Sequence, residues 1–590
     1  MRTAKTILTV IQTRGSRKLP LERLYKLLYN KELYLLAYAK LYPNSGAMTK
    51  GATDETVDGM SIKKIEKLID DIRHERYKWT ATRRVYIPKK NGKQRPLGIP
   101  TWSDKLLQEV IRMILEAYYE PQFSDSSHGF RPQRGCHTAL SEIQTWKGTK
   151  WFVEGDISKY FDTIDHDVLL KILSKNINDN RFLRLIENLL KAGYLEDWKF
   201  NKTISGTPQG GVISPLLANI YLNEFDSWVE NVLIPKYTKG KRQKANPEYS
   251  HINKEIAKCK QNGDFLTAKK LKIARRNISS IDTKNADYRR LRYVRYADDF
   301  ILGFTGSKQE AEEIKVEIGE WLKTALKLNL SQEKTLITHA STTFARFLGY
   351  DIKVQMADDY VDKTGRRGAN GVIALFVPSS VIEKKCTDYM KNGKTIHIGK
   401  LLQDDDFSIV QRFGAEYRGI AQYYLMAQNV SWLSKLHWIM QGSLLKTLAF
   451  KHKSSMNKIK KKYACEITDK TSGKTLKCIQ VIVERKDKKP LIAQFGGISL
   501  THKRKTVIDD MPYKVWGGRT ELLKRLLADT CELCGSTENI EVHHIRKLSD
   551  LDTKGKTEKP IWIQIMATRK RKTLVVCRNC HNKIHNGSLK

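Results

Sequence analysis

Acidic side chains are scarce. The 590 residues carry 64 Asp and Glu against 105 Lys and Arg, a formal net charge of +41. A compact fold with that excess repels itself, so the composition points to a polyanionic partner, nucleic acid first. The basic residues spread over the whole length and form no single juxtamembrane cluster, which argues against an anionic membrane surface. Long apolar runs are missing as well: none approaches the roughly 18 residues needed to span a bilayer. Cysteine is sparse, nine in all. Five are scattered and four fall into two CxxC pairs, a pattern that excludes a disulfide framework and implies a reducing compartment and one metal site. The first twenty residues lack acid and carry Arg and Ser. A basic arm on a cytoplasmic protein explains them better than a transit peptide does. There is no internal repeat.

The length suits three or four domains of roughly 100–200 residues. Residues 1–75 read as a helical N-terminal extension. Residues 76–375 mix short β-branched and aromatic runs with amphipathic helices, an α+β pattern, and contain a charged helical insertion at about 236–290. Residues 376–480 are mostly helical, 481–525 are basic, and 526–590 hold the metal motif.

Two adjacent carboxylates stand inside an apolar run, in YVRYADDFILGF (293–304). Each would cost several kcal/mol if left dry and unpaired. The same Ala-Asp-Asp triplet recurs at 357–359, where charges and glycines follow, so Asp358 and Asp359 read as a solvated loop. The first pair differs: β-formers flank it, and a turn at Ala297-Asp298 would set both carboxylates at a hairpin tip. A second acidic strand end lies in WFVEGDISKYFDTIDHD (151–167), at Asp156. Two-metal phosphoryl transfer draws carboxylates from separate elements in this way, and hard oxygen donors suit Mg²⁺. A glycine-rich stretch, SGTPQGGVISPLLANIYLNEFD (205–226), lets backbone approach a flat group.

In order, Asp156…Phe161, Thr207-Pro208-Gln209-Gly210 and Tyr296-Ala297-Asp298-Asp299 resemble the palm of a reverse transcriptase. RRVYIPKKNGKQRPLGIP (83–100) and SHGFRPQRGCHTAL (127–140) resemble its fingers motifs; LNLSQEKT (328–335) and FARFLGYDI (344–352) resemble the two after the catalytic hairpin. The resemblance implies that Asp156, Asp298 and Asp299 bind the catalytic Mg²⁺ ions. Phe161 would stand against the sugar 2′ position, and Gln209 and Gly210 at the nascent base pair. Lys89, Arg95 and Lys334 would meet the triphosphate of the incoming deoxynucleotide.

QRFGAEYRGIAQYYLMAQN (411–429) and LLKTLAFKHKSSMNKI (444–459) resemble the maturase domain of group II intron-encoded proteins, a helical thumb in polymerase terms. Lys446, Lys451, Lys453 and Lys458 would then face RNA phosphates, and Tyr423 and Tyr424 would pack or stack.

At the C-terminus, CELCGSTENIEVHHIRKL (531–548) and LVVCRNCHNKIH (574–585) offer four thiolates, Cys531, Cys534, Cys577 and Cys580, for a closed structural Zn²⁺ site. His543 and His544 follow a strand-like IEV. His581 and His585 are four apart and share a helix face. The set resembles an HNH nuclease, with His544 as general base and His543, His581 and His585 around a divalent ion, Mg²⁺ among the candidates. One departure is plain: Lys572-Thr573 stands where the motif's Asn is expected.

The expected fold is therefore multidomain: an α+β right-hand polymerase (fingers and palm), an α-helical thumb/maturase domain and a small zinc-bound ββα-metal HNH domain. Expected partners are the group II intron RNA, a DNA target site and deoxynucleoside triphosphates, with no membrane; monomer and dimer are both open. The expected compartment is the bacterial cytoplasm, with an organellar matrix as the alternative. A splicing cofactor without catalysis would not need the three aspartates, and a defence-system or retron polymerase would not need the maturase and HNH segments.

Overall fold

A computed structural model describes the chain except residues 1–2, 89–91, 93, 197–198, 202–205, 207–209, 283–284, 358–359, 361–369, 469–472, 486–487, 507–520, 552–558, 570 and 590, and the side chains of 45, 199, 200, 488 and 549. Lys89, Gln209 and the second Asp pair, Asp358-Asp359, lie outside the described residues. Among the described residues no helix is long and apolar enough to cross a membrane.

A five-stranded sheet organises the middle of the chain. Its order is Leu336–His339, Trp151–Asp156, Asp299–Phe304, Leu291–Tyr296 and Ser127–His128. The pairs are antiparallel except the last, which is parallel. Side chains of a strand alternate between faces. Here the alternation feeds two cores: Val153, Phe300, Leu302 and Phe304 enter one, while Phe152, Val294 and Ile301 enter the other. Both faces are therefore covered, which explains why the strands read as nearly continuous apolar runs.

The first core takes in the N-terminal helices Ala4–Ser16, Lys31–Leu41 and Ile62–Arg73, and the long helix Trp102–Tyr119. Gly15 lets the first of these approach the last: a Cβ there would lie 2.1 Å from the Tyr118 carbonyl oxygen. A four-stranded fingers sheet (Gln94–Ile99, Thr82–Pro88, Tyr194–Glu196, Lys199–Asn201) adjoins it. Within the charged insertion, helices Pro247–Gln261 and Phe265–Arg275 pack on each other, with Asn246 and Asp264 as N-caps.

The second core joins the palm to the thumb helices Asp406–Tyr423, Leu433–Lys451 and Met456–Tyr463. The thumb is not purely helical, which corrects the expectation. Ala464–Thr468, Thr475–Arg485 and Lys488–Gly496 form an antiparallel sheet that packs on helix Asp406–Tyr423. The absent side chain of Gly414 admits the Gln494 carbonyl, which a Cβ would meet at 1.9 Å. The expected boundary at 480 falls inside the middle strand. Only Cys478 and Ile479 are buried in that strand, so no regular buried face marks it in the sequence.

The C-terminal domain pairs Ile540–His544 with Thr573–Cys577, followed by helix Arg578–His585. Its apolar residues merge with the N-terminal core, and Met60 bridges to Val542.

Candidate active sites

The hairpin of Leu291–Tyr296 and Asp299–Phe304 turns at Ala297-Asp298, and Asp299 pairs directly with Asp156 across the next strand. Ala297 has φ of 55°, a left-handed conformation that is costly for a residue with a Cβ. Two bonds hold it there. Its N–H donates to the His128 carbonyl at 3.1 Å, and its carbonyl accepts from Arg295 Nη1 at 2.7 Å. Arg295 and its partner Asp226 are each 0% exposed. Arg295 donates through Nε and Nη2 to Asp226 at 2.7 and 2.5 Å, and further to Asn219 and Ser127, while the Tyr293 hydroxyl also donates to Asp226. A fully hydrogen-bonded buried pair thus lies under the turn. Arg295 and Asp226 were not singled out in the sequence; the available signal was an Arg on the same strand face as Tyr293 and Leu291, which are buried.

Burial pushes the Asp299 carboxyl up, and repulsion from Asp298 and Asp156 adds to this, to about 7. Burial also raises Asp298, while Arg95 and Lys334 pull the other way. Lys334 Nζ donates to both oxygens of Asp156, at 3.0 and 2.9 Å, a pairing that raises its own pKa. Asp156 and Asp299 touch, Asp298 repels them from the adjoining turn, and Lys334 is drawn to Asp156; hard oxygen donors of this kind are the type Mg²⁺ takes.

Phe161 is half-buried, edge-on to Tyr160 at 5.4 Å between ring centroids. Gly206, at φ +92°, donates to Ile164 at 2.7 Å and accepts from His166. Gly210, at φ +105°, lies against the fingers: a Cβ there would meet the Gly98 carbonyl oxygen at 2.6 Å. Arg95 is exposed on the same fingers strand.

In the thumb, Lys446 donates to the Thr395 carbonyl at 2.6 Å, and Lys451 to Asp406 and the Asp404 carbonyl at 2.7 and 2.8 Å. Lys453 and Lys458 are exposed. Tyr423 and Tyr424 donate to the Leu348 and Gly349 carbonyls, so they bind thumb to palm.

The four cysteine sulfurs converge, with Cys534 and Cys577 Sγ 3.7 Å apart. Two thiolates at about 2.3 Å on a tetrahedral Zn²⁺ would be about 3.8 Å apart, so the set fits zinc. Beside it a second set gathers His543, His581, His585 and Asp58. His581 and His585 Nε2 are 3.2 Å apart; Asp58 lies 3.2 Å from the first through Oδ1 and 2.8 Å from the second through Oδ2. Nitrogen and oxygen donors at about 2.0–2.1 Å on a tetrahedral ion would be about 3.3–3.4 Å apart. His543 Nδ1 is 3.5 Å from Asp58 Oδ1, and both its ring nitrogens are buried without a hydrogen-bond partner. Buried polar atoms in that condition fit an ion. Glu541 accepts from His581 Nδ1 at 2.9 Å, which fixes the ring and leaves Nε2 for the ion. Burial opposes charge on His581, yet the bonds to Asp58 and Glu541 lift it to about 9. Against its own burial, Asp58 is held well below the usual carboxylate range by His543, His581 and the His544 N–H.

His544 stands apart from that set. Its Nε2 is 2.8 Å from the Tyr38 hydroxyl, it is 5% exposed, and burial drives it down to about 3. Thr573 pairs opposite His544, and its hydroxyl accepts from Arg525 at 2.9 Å. Asp58, Glu541 and Tyr38 were missed in the sequence. Glu541 is two residues before His543 and so shares its strand face, a signal that was available; Asp58 and Tyr38 gave none.

Three families match the chain in order: reverse transcriptase (RNA-dependent DNA polymerase) over residues 87–352, type II intron maturase over 374–503, and the AI2M/AI1M-like HNH endonuclease over 531–581. The group II intron-encoded protein LtrA of Lactococcus lactis subsp. cremoris is 39% identical over 584 residues, 95% of each chain. The uncharacterized 91 kDa protein in cob intron of Schizosaccharomyces pombe is 36% identical over 96% of this chain and 70% of its own. The putative COX1/OXI3 intron 1 protein of Saccharomyces cerevisiae is 33% identical over 96% of this chain and 69% of its own. This chain belongs to the group II intron-encoded proteins and carries their reverse transcriptase, maturase and HNH endonuclease domains.

Proposed function

We propose that the two centres act in one sequence: the nuclease cuts one strand of a DNA target, and the polymerase copies intron RNA from the exposed 3′ end. The cross-strand register of Asp156 with Asp299, beside Asp298, is the observation that carries this reading. Asp156, Asp298 and Asp299 would hold Mg²⁺, which would supply activation of the primer 3′-hydroxyl and neutralisation of the leaving pyrophosphate. The primer oxygen bonds to the α-phosphorus as the bond to pyrophosphate breaks. The chain's own residues position this displacement. Arg95 and Lys334, with Lys89, neutralise the triphosphate. Phe161 excludes a 2′-hydroxyl, and Gln209 and Gly210 support the new base pair. The buried Arg295–Asp226 pair keeps the hairpin tip rigid.

In the thumb, exposed Lys453 and Lys458 contact RNA phosphates, with Lys446 and Lys451 bracing the helices behind them. Cys531, Cys534, Cys577 and Cys580 hold a structural Zn²⁺. His543, His581 and His585 hold the nuclease ion, and His544 takes the proton from water once the domain opens. Intron RNA, target DNA and deoxynucleoside triphosphates are the partners, and the bacterial cytoplasm is the compartment, where the thiols stay reduced.

Primer extension on an RNA template tests the polymerase assignment. The Asp298→Ala, Asp299→Ala protein should lose at least about 10²–10³-fold in rate, the scale on which removal of electrostatic stabilisation acts, while still binding RNA. Synthesis at the parental rate would place the centre elsewhere.

A further inference from the structure

Asp58 reaches the nuclease centre from 486 residues away in sequence. The segment around it is built to do so. Gly59, at φ +70°, turns the chain and donates to the Val542 carbonyl at 3.0 Å; Val542 N–H donates back to Met60 at 2.9 Å. These bonds zip residues 59–60 onto the strand that carries the histidines. Lys63 Nζ donates to Asn539 Oδ1 at 2.7 Å beyond them. The His544 N–H donates to Asp58 Oδ1 at 2.7 Å, which aims the carboxylate at the three imidazoles.

A hydrolytic metal site keeps a position open for water and substrate, whereas a site with four protein donors is closed. Three histidines alone leave that position open. Asp58 fills it with a carboxylate, an oxyanion like the phosphodiester that would bind there. A separate N-terminal element, the helix Lys31–Leu41 with Tyr42 at its end, covers His544 with Tyr38 and Tyr42. We propose that Asp58 is the fourth ligand of the nuclease ion, and that residues 58–63 form a latch that holds the nuclease closed until a DNA phosphate displaces the carboxylate. This rests on the nuclease reading above.

The test uses the full-length protein with Zn²⁺ in the thiolate site. Asp58→Ala should nick supercoiled plasmid in Mg²⁺ at least about tenfold faster than the parent. Co²⁺ titrated into the histidine site should give the intense visible bands of a tetrahedral ion in the parent and weaker bands in the variant. Asp58→Asn keeps an acceptor for the His544 N–H and should fall between the two. Retained zinc content and a thermal unfolding profile matching the parent's show that each variant is folded. Nicking that is unchanged or slower in Asp58→Ala, or Co²⁺ bands identical to the parent's, overturns the latch. The Asp58→Ala, His581→Ala protein should not nick. If it does, the cutting lies outside this cluster, and the nuclease reading itself falls.

Discussion

In the palm, the acids come from adjacent strands of one sheet, fixed by register; in the nuclease centre, the donors come from opposite ends of the chain, fixed by docking. The Asp156–Asp299 pair forms wherever the sheet forms. The Asp58–histidine cluster forms only when the N-terminal segment lies on the C-terminal domain. Register gives a centre that is always assembled. Docking gives one whose composition changes when a segment leaves.

The largest effect that would separate the two centres is loss of zinc. Structural Zn²⁺ contributes about 10–16 kcal/mol in small zinc-finger peptides at neutral pH, and here the four thiolates tie Cys531 and Cys534 to the end of the second strand and the last helix. The Cys531→Ser, Cys577→Ser protein should lose its zinc and all strand cutting. It should keep primer extension within a few-fold, because the side-chain hydrogen bonds recorded for the palm acids and for the pair beneath them come from residues 127–334. Metal content by elemental analysis, followed by both assays, checks this. Equal loss of both activities would show that the centres are one cooperative unit.

Next comes the support under the catalytic hairpin. Arg295→Met leaves Asp226 buried without its cation, and breaking a buried pair costs about 3–5 kcal/mol. It also removes the donor that holds the Ala297 carbonyl in its left-handed turn. Thermal unfolding should therefore shift down and synthesis should fall, with the acids themselves untouched. The Arg295→Met, Asp226→Leu protein removes both charges. It should recover much of the stability and little of the synthesis, since the turn still lacks its donor. Recovery of both would mean that the pair acts through stability alone.

What was legible in the sequence follows the same division. Asp156, Asp298 and the CxxC pairs lie in short segments whose local pattern already states the chemistry: acid at a strand end, acid at a turn, thiols one helical turn apart. The palm could be read because its strands alternate between two cores and are rich in apolar and aromatic residues on both faces. Asp58 could not. TDETVDGM is an ordinary polar loop, and its meaning depends on a β-bridge to residue 542 that no local periodicity encodes. Asp226 and Arg295 fall between these cases. Each is visible as a charge in an apolar setting, and only their meeting across helix and sheet shows that they satisfy one another. The thumb sheet was missed for a related reason: its middle strand buries only Cys478 and Ile479, so no buried face stands out as an alternation.

The smallest effect is in pH, and it sharpens the comparison because the two centres titrate in different windows. Asp299 is raised from its ordinary range to about 7, so the folded protein holds its proton more tightly than the unfolded chain. Its contribution to stability is complete below about pH 4 and is lost as pH rises to 7. His581 is raised from 6.5 to about 9; its contribution is complete below pH 6.5 and is lost as pH rises through 9. With Zn²⁺ retained and no other divalent ion added, Asp299→Asn should flatten the stability profile between pH 4 and 7, and His581→Asn should flatten it between 6.5 and 9. Added Mg²⁺ should suppress the lower window, because a cation among the palm acids removes the repulsion that raises Asp299. Urea unfolding at half-unit pH steps reads both windows. If one variant flattened both, a single coupled network would span the palm and the nuclease centre, and the separation of a built-in site from a docked one would fail.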